Sequence, residues 1–165
     1  MAKYFDKDEI KESSAEKKVR IFLAVMYFIL VLVAVWTPLM YGPVNDEGQY
    51  SILTAVNLLI QPNGYGSAGQ VMSAIYGAIL VILPIVSFFF FILDKKSKKK
   101  YIVSYITCLS SAIVLCFGPG SSIAYGGILS LLLILVIMFM TTQGLQATRM
   151  RERDAAQEKT EEASD

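Results

Sequence analysis

Four stretches of this chain, Val19–Met40, Val71–Leu93, Tyr101–Phe117 and Ile123–Thr142, carry no Asp, Glu, Lys or Arg except at their margins. Crossing the ~30 Å hydrocarbon core of a bilayer as a helix takes about 20 apolar residues. All four stretches meet that length, the third at its short end. Lipid offers the backbone no hydrogen bonds, so a spanning segment must satisfy its own N–H and C=O groups. The sequence therefore predicts an all-α integral membrane protein, a four-transmembrane-helix bundle. A charged tail covers 1–18. The membrane domain covers 19–142 and contains a long loop at 41–70. A second charged tail covers 143–165. Both tails are expected to be helical near the membrane and disordered beyond.

The first span reads as an uncleaved anchor. Its apolar run is long for a signal peptide, its leader is long and partly acidic, and no small-x-small cleavage site follows. Ser13 and Glu16 have the spacing of a capping box, which starts this helix before the membrane.

All 15 Lys and Arg residues fall in three segments. These are the N-terminal tail up to Arg20, the loop holding Lys95, Lys96, Lys98, Lys99 and Lys100, and the C-terminal tail from Arg149 onward. Four spans put the three segments on one side. The opposite side, 41–70 and 118–122, has no basic residue. The positive-inside rule then places both termini in the cytoplasm, with the five loop lysines as the topology signal. The expected location is the plasma membrane. Trp36, Tyr41, Tyr50 and Tyr65 fall near the outer interface and Tyr101 near the inner one, where amphipathic rings are favoured.

Several chemistries are excluded. The chain has no histidine, so it can hold no Ser-His or Cys-His nucleophile pair and no His-containing zinc or haem site. The spans carry no ionisable group of the kind that marks proton relays and ion paths. On the outer side only Asp46 and Glu47 are acidic. Cys108 and Cys116 lie about 12 Å apart along one helix, too far for a disulfide. Orientation explains the basic residues and the C-terminal tail ends acidic, so nucleic-acid binding has no support. Neither terminus carries a lipidation motif. No catalytic, cofactor or metal site is expected.

An internal repeat is visible. Span two begins Ser73-Ala-Ile-Tyr76-Gly77-Ala-Ile79-Leu80, and span four begins Ser122-Ile-Ala-Tyr125-Gly126-Gly-Ile128-Leu129. Five of eight positions are identical at an offset of 49. Spans one and three each follow a lysine pair and end aromatic-x-Pro, at Trp36-Thr-Pro38 and Phe117-Gly-Pro119. The simplest account is two tandem helical hairpins in parallel orientation, the first carrying a loop insertion.

Small residues recur at every fourth position: Gly69, Ser73 and Gly77; Ser104, Cys108, Ala112 and Cys116; Ser122, Gly126 and Ser130. Such faces let helices approach closely in lipid. Packing within one chain is the expected use, and an oligomer face the alternative. Pro84, mid-span, removes one backbone bond and is expected to kink its helix. Phe88–Phe91 covers all sides of the same helix, so most of the run must face lipid or a partner.

In the long loop, Ile52, Leu53, Val56, Leu59 and Ile60 have helical spacing, and Pro62 ends the run. This predicts a short amphipathic helix over Ser51–Gln61, lying on the outer surface. Gly64-Tyr65-Gly66 follows. A span, a short helix, Gly-Tyr-Gly and a span is the order of a potassium-channel pore loop. Here Pro62 and Asn63 stand where Thr and Val belong, and the second hairpin has no such loop. A glycine-rich turn is the preferred reading.

Four spans with a longer first loop resemble the layout of several small tetraspan families. The Trp/Cys pattern of claudins and the membrane-embedded Glu of small multidrug transporters are both missing, and topology alone transfers no function. The expected role is a non-enzymatic accessory or interaction subunit of a membrane assembly. Its partners would be the lipid bilayer and another membrane protein, or itself as an oligomer. The alternative is an oligomeric channel or transporter subunit.

Overall fold

The computed structural model describes residues 13–44, 48–60, 67–95, 97–118, 120 and 122–162. In chain order the elements are α1 (Ser14–Trp36), β1 (Met40–Val44), β2 (Tyr50–Leu53), α2 (Ala55–Ile60), α3 (Ser67–Leu93), α4 (Lys99–Phe117), β3 (Ser122–Ile123) and α5 (Tyr125–Glu162). Four of the helices, α1, α3, α4 and α5, are long and apolar enough to cross a membrane.

Local chemistry sets their ends. The Ser13 N–H donates to Glu16 Oε2 at 2.9 Å, and α1 begins at the next residue. It stops at Trp36, short of the expected Met40. Pro38 disfavours helical backbone at the residue before it, and Thr37 is extended, with φ −112° and ψ 149°. The Thr37 hydroxyl and N–H both turn back to the Val33 carbonyl, at 2.7 and 3.0 Å. α3 continues through Pro84 as one helix. α5 starts at Tyr125, later than expected, because Ser122–Ile123 is drawn into a strand. It then runs on to Glu162. The expected disorder of the second tail is not seen at these residues, which continue the fourth span as helix.

α1 packs on α3 and α5, and α4 packs on α3 and α5. The four form a ring in the order α1–α3–α4–α5, with α1 and α4 on the diagonal. Leu23, Tyr27, Leu30, Phe91, Cys108, Leu115, Ile134 and Ile137 fill the middle. Val25, Phe28, Ile82, Phe89, Ile106, Leu109, Leu135 and Phe139 point outward and are exposed. A helix apolar on both its inner and outer faces is what a lipid-embedded bundle requires.

The end of the bundle away from the lysine loop carries a three-stranded antiparallel sheet in the order β2-β1-β3, which the all-α expectation does not contain. Met40 pairs with Leu53 on one side and Ile123 on the other, and Tyr41 pairs with Ile52 and Ser122. Side chains alternate across a sheet. The row Ile123–Met40–Leu53 therefore faces the helices, with Met40 and Leu53 buried. The row Ser122–Tyr41–Ile52 faces away. An irregularity between Tyr41 and Val44 shifts the pairing so that Val44 meets Tyr50.

The helix predicted over Ser51–Gln61 is shorter and preceded by a strand. Tyr50–Leu53 pairs with β1, and only Ala55–Ile60 is helical. Thr54 makes the junction: its hydroxyl accepts the Asn57 N–H at 3.1 Å and its carbonyl accepts the Leu58 N–H at 3.0 Å. Ala55 and Leu58 are buried, while Asn57 and Ile60 are exposed. α2 packs on α3, so protein covers part of the face that the amphipathic pattern assigned to lipid. Gly64-Tyr65-Gly66, Asp46 and Glu47 lie outside the described residues.

Candidate functional site

Most of the polar groups inside the ring are hydroxyls, and those of Tyr27, Ser87, Ser104, Thr107 and Thr141 bond to one another. On α1 the only hydroxyl between Arg20 and Thr37 is that of Tyr27. It crosses the diagonal of the ring to α4, reaching Ser104 Oγ at 2.7 Å and donating to the Ser104 carbonyl at 3.1 Å. Cys108 Sγ is 3.4 Å from the same phenol. Ser104 Oγ also meets Thr141 Oγ1 of α5 at 2.7 Å. One hydroxyl therefore ties α1, α4 and α5. Ser87 of α3 meets Thr107 of α4 at 2.7 Å, which completes the ring. Below the phenol, Phe91 stacks on Tyr27 with centroids 5.8 Å apart, and Tyr101 meets Phe91 edge-on at the same distance. A second bond between α4 and α5 joins Tyr105 to Thr142 at 2.6 Å. The single hydrogen of Thr142 goes to the Met138 carbonyl, so Tyr105 is the donor there.

Hydrogen bonds between membrane helices average about 0.6 kcal/mol and reach about 1.7. The hydroxyl cluster thus fixes which helices meet, with modest stabilisation from each bond. Among the described residues no three His, Cys, Asp or Glu side chains group to hold a metal ion. Both cysteines are free, Cys108 buried and Cys116 exposed.

The small-residue stripes meet different neighbours. Ser73 is buried and its hydroxyl donates to the Leu58 carbonyl of α2 at 3.4 Å. Gly69 is half-buried one turn earlier. A Cβ at Gly77 would stand 2.6 Å from the Leu59 nitrogen, so α2 crosses α3 backbone to backbone. A Cβ at Gly126 would stand 2.6 Å from the Pro38 oxygen, at the turn between α1 and β1. On α4 the stripe divides: Ser104 and Cys108 are buried, Ala112 is half-buried, and Cys116 faces out. Ser122 lies in β3 and is exposed, while Ser130 is buried in α5.

The lysines are not equivalent either. Lys95 and Lys99 are exposed, and Lys98 forms an ion pair with Glu152 on the extension of α5. Lys96 lies outside the described residues. Lys100 is buried and donates to the Asp94 and Lys95 carbonyls at 3.1 and 3.2 Å. Arg20 reaches from α1 to the Phe91 and Ile92 carbonyls at 2.9 and 3.4 Å. These two cations serve the last carbonyls of α3 and the loop after it, which have no helical donor and carry the negative end of the helix dipole. Glu16 accepts from Arg151 at 2.8 Å, fastening the extension of α5 to the start of α1.

An open groove of about 540 Å³ runs between α1 and α3 near Arg20, walled by Ala24, Val25, Phe28, Phe88 and Phe91. Such walls suit hydrocarbon, not a polar solute. At the sheet end the outward row presents Tyr41, Val44, Tyr50 and Ile52, exposed by 37%, 51%, 61% and 55%. The rings of Tyr41 and Tyr50 meet edge-on at 6.3 Å.

By length and composition of its four long helices the chain is a membrane protein. Compared with known protein families, with curated proteins and with solved structures, it matches none.

Tyr27, Ser87, Thr107 and Thr141 lie outside the small-residue stripes. For Tyr27 and Thr107 the sequence carries a signal. Tyr27 is a lone hydroxyl in a long apolar run, and Ser104, Thr107, Cys108 and Ser111 share one face of α4 at spacings of three and four.

Proposed function

We propose that the protein is a non-enzymatic interaction subunit of a membrane assembly, acting through its sheet. Its lysine end lies in the cytoplasm and its sheet on the outer face of the plasma membrane. The carrying observation is the outward row of the sheet. β1 binds a strand from each of two separate loops into one platform, and the exposed side chains on it are large and apolar. Aromatic anchors on a rigid frame suit protein recognition, because little side-chain entropy is lost on binding. The interior is better suited to holding four helices together than to passing a solute, since the hydroxyls of Tyr27, Ser104, Thr141, Ser87 and Thr107 are engaged with one another.

We also read the chain as two tandem hairpins. Gly77 and Gly126 are equivalent in that reading, Gly77 lying against the backbone of α2 and Gly126 against the turn after α1. The lipid bilayer is the second partner, meeting the outward apolar faces and the groove beside Arg20.

A photo-crosslinking residue at Tyr50 or Ile52, in native membranes, should capture one and the same protein. At Leu135, on the outward face of α5, it should capture lipid. Ala at Tyr41 should weaken the Tyr50 adduct without changing protein level. Passage of ions or solute by the purified protein in liposomes, above the rate of empty liposomes, would overturn this reading in favour of a channel or transporter.

A further inference from the structure

Ser111 of α4 and Ser130 of α5 are 1% and 2% exposed, and neither hydroxyl has a hydrogen-bond partner among the described residues. Other hydroxyls of this chain avoid that state by turning back along their own helix. Thr37, Thr142 and Thr148 each donate to the carbonyl four residues earlier, at 2.7, 2.9 and 3.0 Å. Ser111 and Ser130 make no such bond.

Both serines line one small cavity at the centre of the ring. Leu30 and Ala34 of α1, Leu39, Leu80 of α3, Leu115 and Ile134 close it. It offers about 10 Å³ to the centre of a water-sized sphere, which is the scale at which one water molecule fits. Leu80, in the same lining, brings a further polar group close by. Pro84 lies inside α3 and has no N–H, so the carbonyl of Leu80, four residues before it, loses its helical donor.

We propose that this cavity binds a single structural water molecule held by Ser111, Ser130 and the Leu80 carbonyl. Both serines donate to the water oxygen, and the water donates one hydrogen to Leu80. Three bonds are the usual complement of a buried water. A metal cation is a poor occupant, because three neutral oxygens fall short of the six or more that Mg²⁺ or Ca²⁺ takes. A cavity with two hydroxyls in its wall also differs from the apolar kind that stays dry. The water links α3, α4 and α5 beneath α1, and it lets a proline sit inside α3 without an orphaned carbonyl in lipid.

Thermal unfolding of the full chain in detergent tests the site through Ser111→Ala, Ser130→Ala and the double variant. Each single change takes a partner from the water and leaves the remaining groups short, so each should melt several degrees lower. The double variant leaves an apolar wall and should melt no lower than the worse single one. Losses that simply add, or single variants that melt like the parent, would overturn the proposal. Pro84→Ala returns an N–H to Leu80, and in that background the coupling between the serines should shrink. Unchanged coupling would remove Leu80 and with it the three-partner site. An experimental density map of the unaltered protein gives a check independent of folding. A peak within hydrogen-bond distance of both Oγ atoms and the Leu80 oxygen is expected, and clear density without one would refute the water.

Discussion

The Gly126 N–H donates to the Pro38 carbonyl at 3.0 Å, and a Cβ on Gly126 would stand 2.6 Å from that same oxygen. Bond and missing side chain are one requirement, since the donor reaches its acceptor only where nothing projects between them. Gly77 has a similar neighbour, with the Leu59 nitrogen 2.6 Å and the Ala55 oxygen 2.9 Å from a Cβ placed there. Gly126→Leu and Gly77→Leu should each destabilise the protein by at least the ~1–3 kcal/mol of ordinary overpacking. At Gly77 the obstacle is backbone, and at Gly126 it is the Pro38 carbonyl together with the Thr37 side chain, so neither site can clear by turning one side chain aside. Phe89→Leu, at an outward position 51% exposed, should shift stability by roughly 0.5 kcal/mol or less. Thermal unfolding in detergent compares the three, and equal shifts would show that the glycines are not contact points.

Tyr27→Phe keeps the ring on Phe91 and deletes only the phenolic oxygen. Ser104 retains Thr141 as a partner. The loss should therefore be small, about 0.6–1.7 kcal/mol. Tyr27→Ala, which also empties the ring's volume, should cost about 3–5 kcal/mol. In a double-mutant cycle Tyr27→Phe and Ser104→Ala should couple, because each removes the same bond. Strict additivity would mean the bond contributes nothing.

Arg20→Met should loosen the last turn of α3. Without the guanidinium, the Phe91 and Ile92 carbonyls lose their donor, at about 1–3 kcal/mol for a buried group left unsatisfied. Hydrogen exchange should quicken at Phe90 to Leu93 and stay unchanged in α5 above Ser130. Uniform acceleration through all four helices would point instead to a general loss of fold.

The proposed orientation makes a labelling prediction. With Cys108 and Cys116 changed to Ser, a cysteine at Lys3, Lys95 or Lys159 should resist an impermeant thiol reagent in intact cells. A cysteine at Asp46 should react. Reaction at Lys95 in sealed cells would invert the topology and move the sheet to the cytoplasm.

The four long helices were legible in the sequence because the condition that makes them is local. A helix in lipid satisfies its backbone within four residues and needs only enough apolar side chains in a row, which can be counted. The same is true of the Ser13–Glu16 cap. Pro38 lay in view inside the predicted first span, and its local effect ends α1 at Trp36. The faces of Ser104 and Cys108 could be read from their spacing, but not what they meet. Tyr27 finds Ser104 77 residues away, and no periodicity in α1 points to that partner. The sheet is the clearest case of what only the tertiary structure decided. Ile52 and Leu53 of β2 fit a helical pattern, and Ser122–Ile123 is too short to show any pattern. Each becomes a strand because β1 lies beside it, since a strand's hydrogen bonds are made to another segment and a sequence read alone does not say which segment will be there.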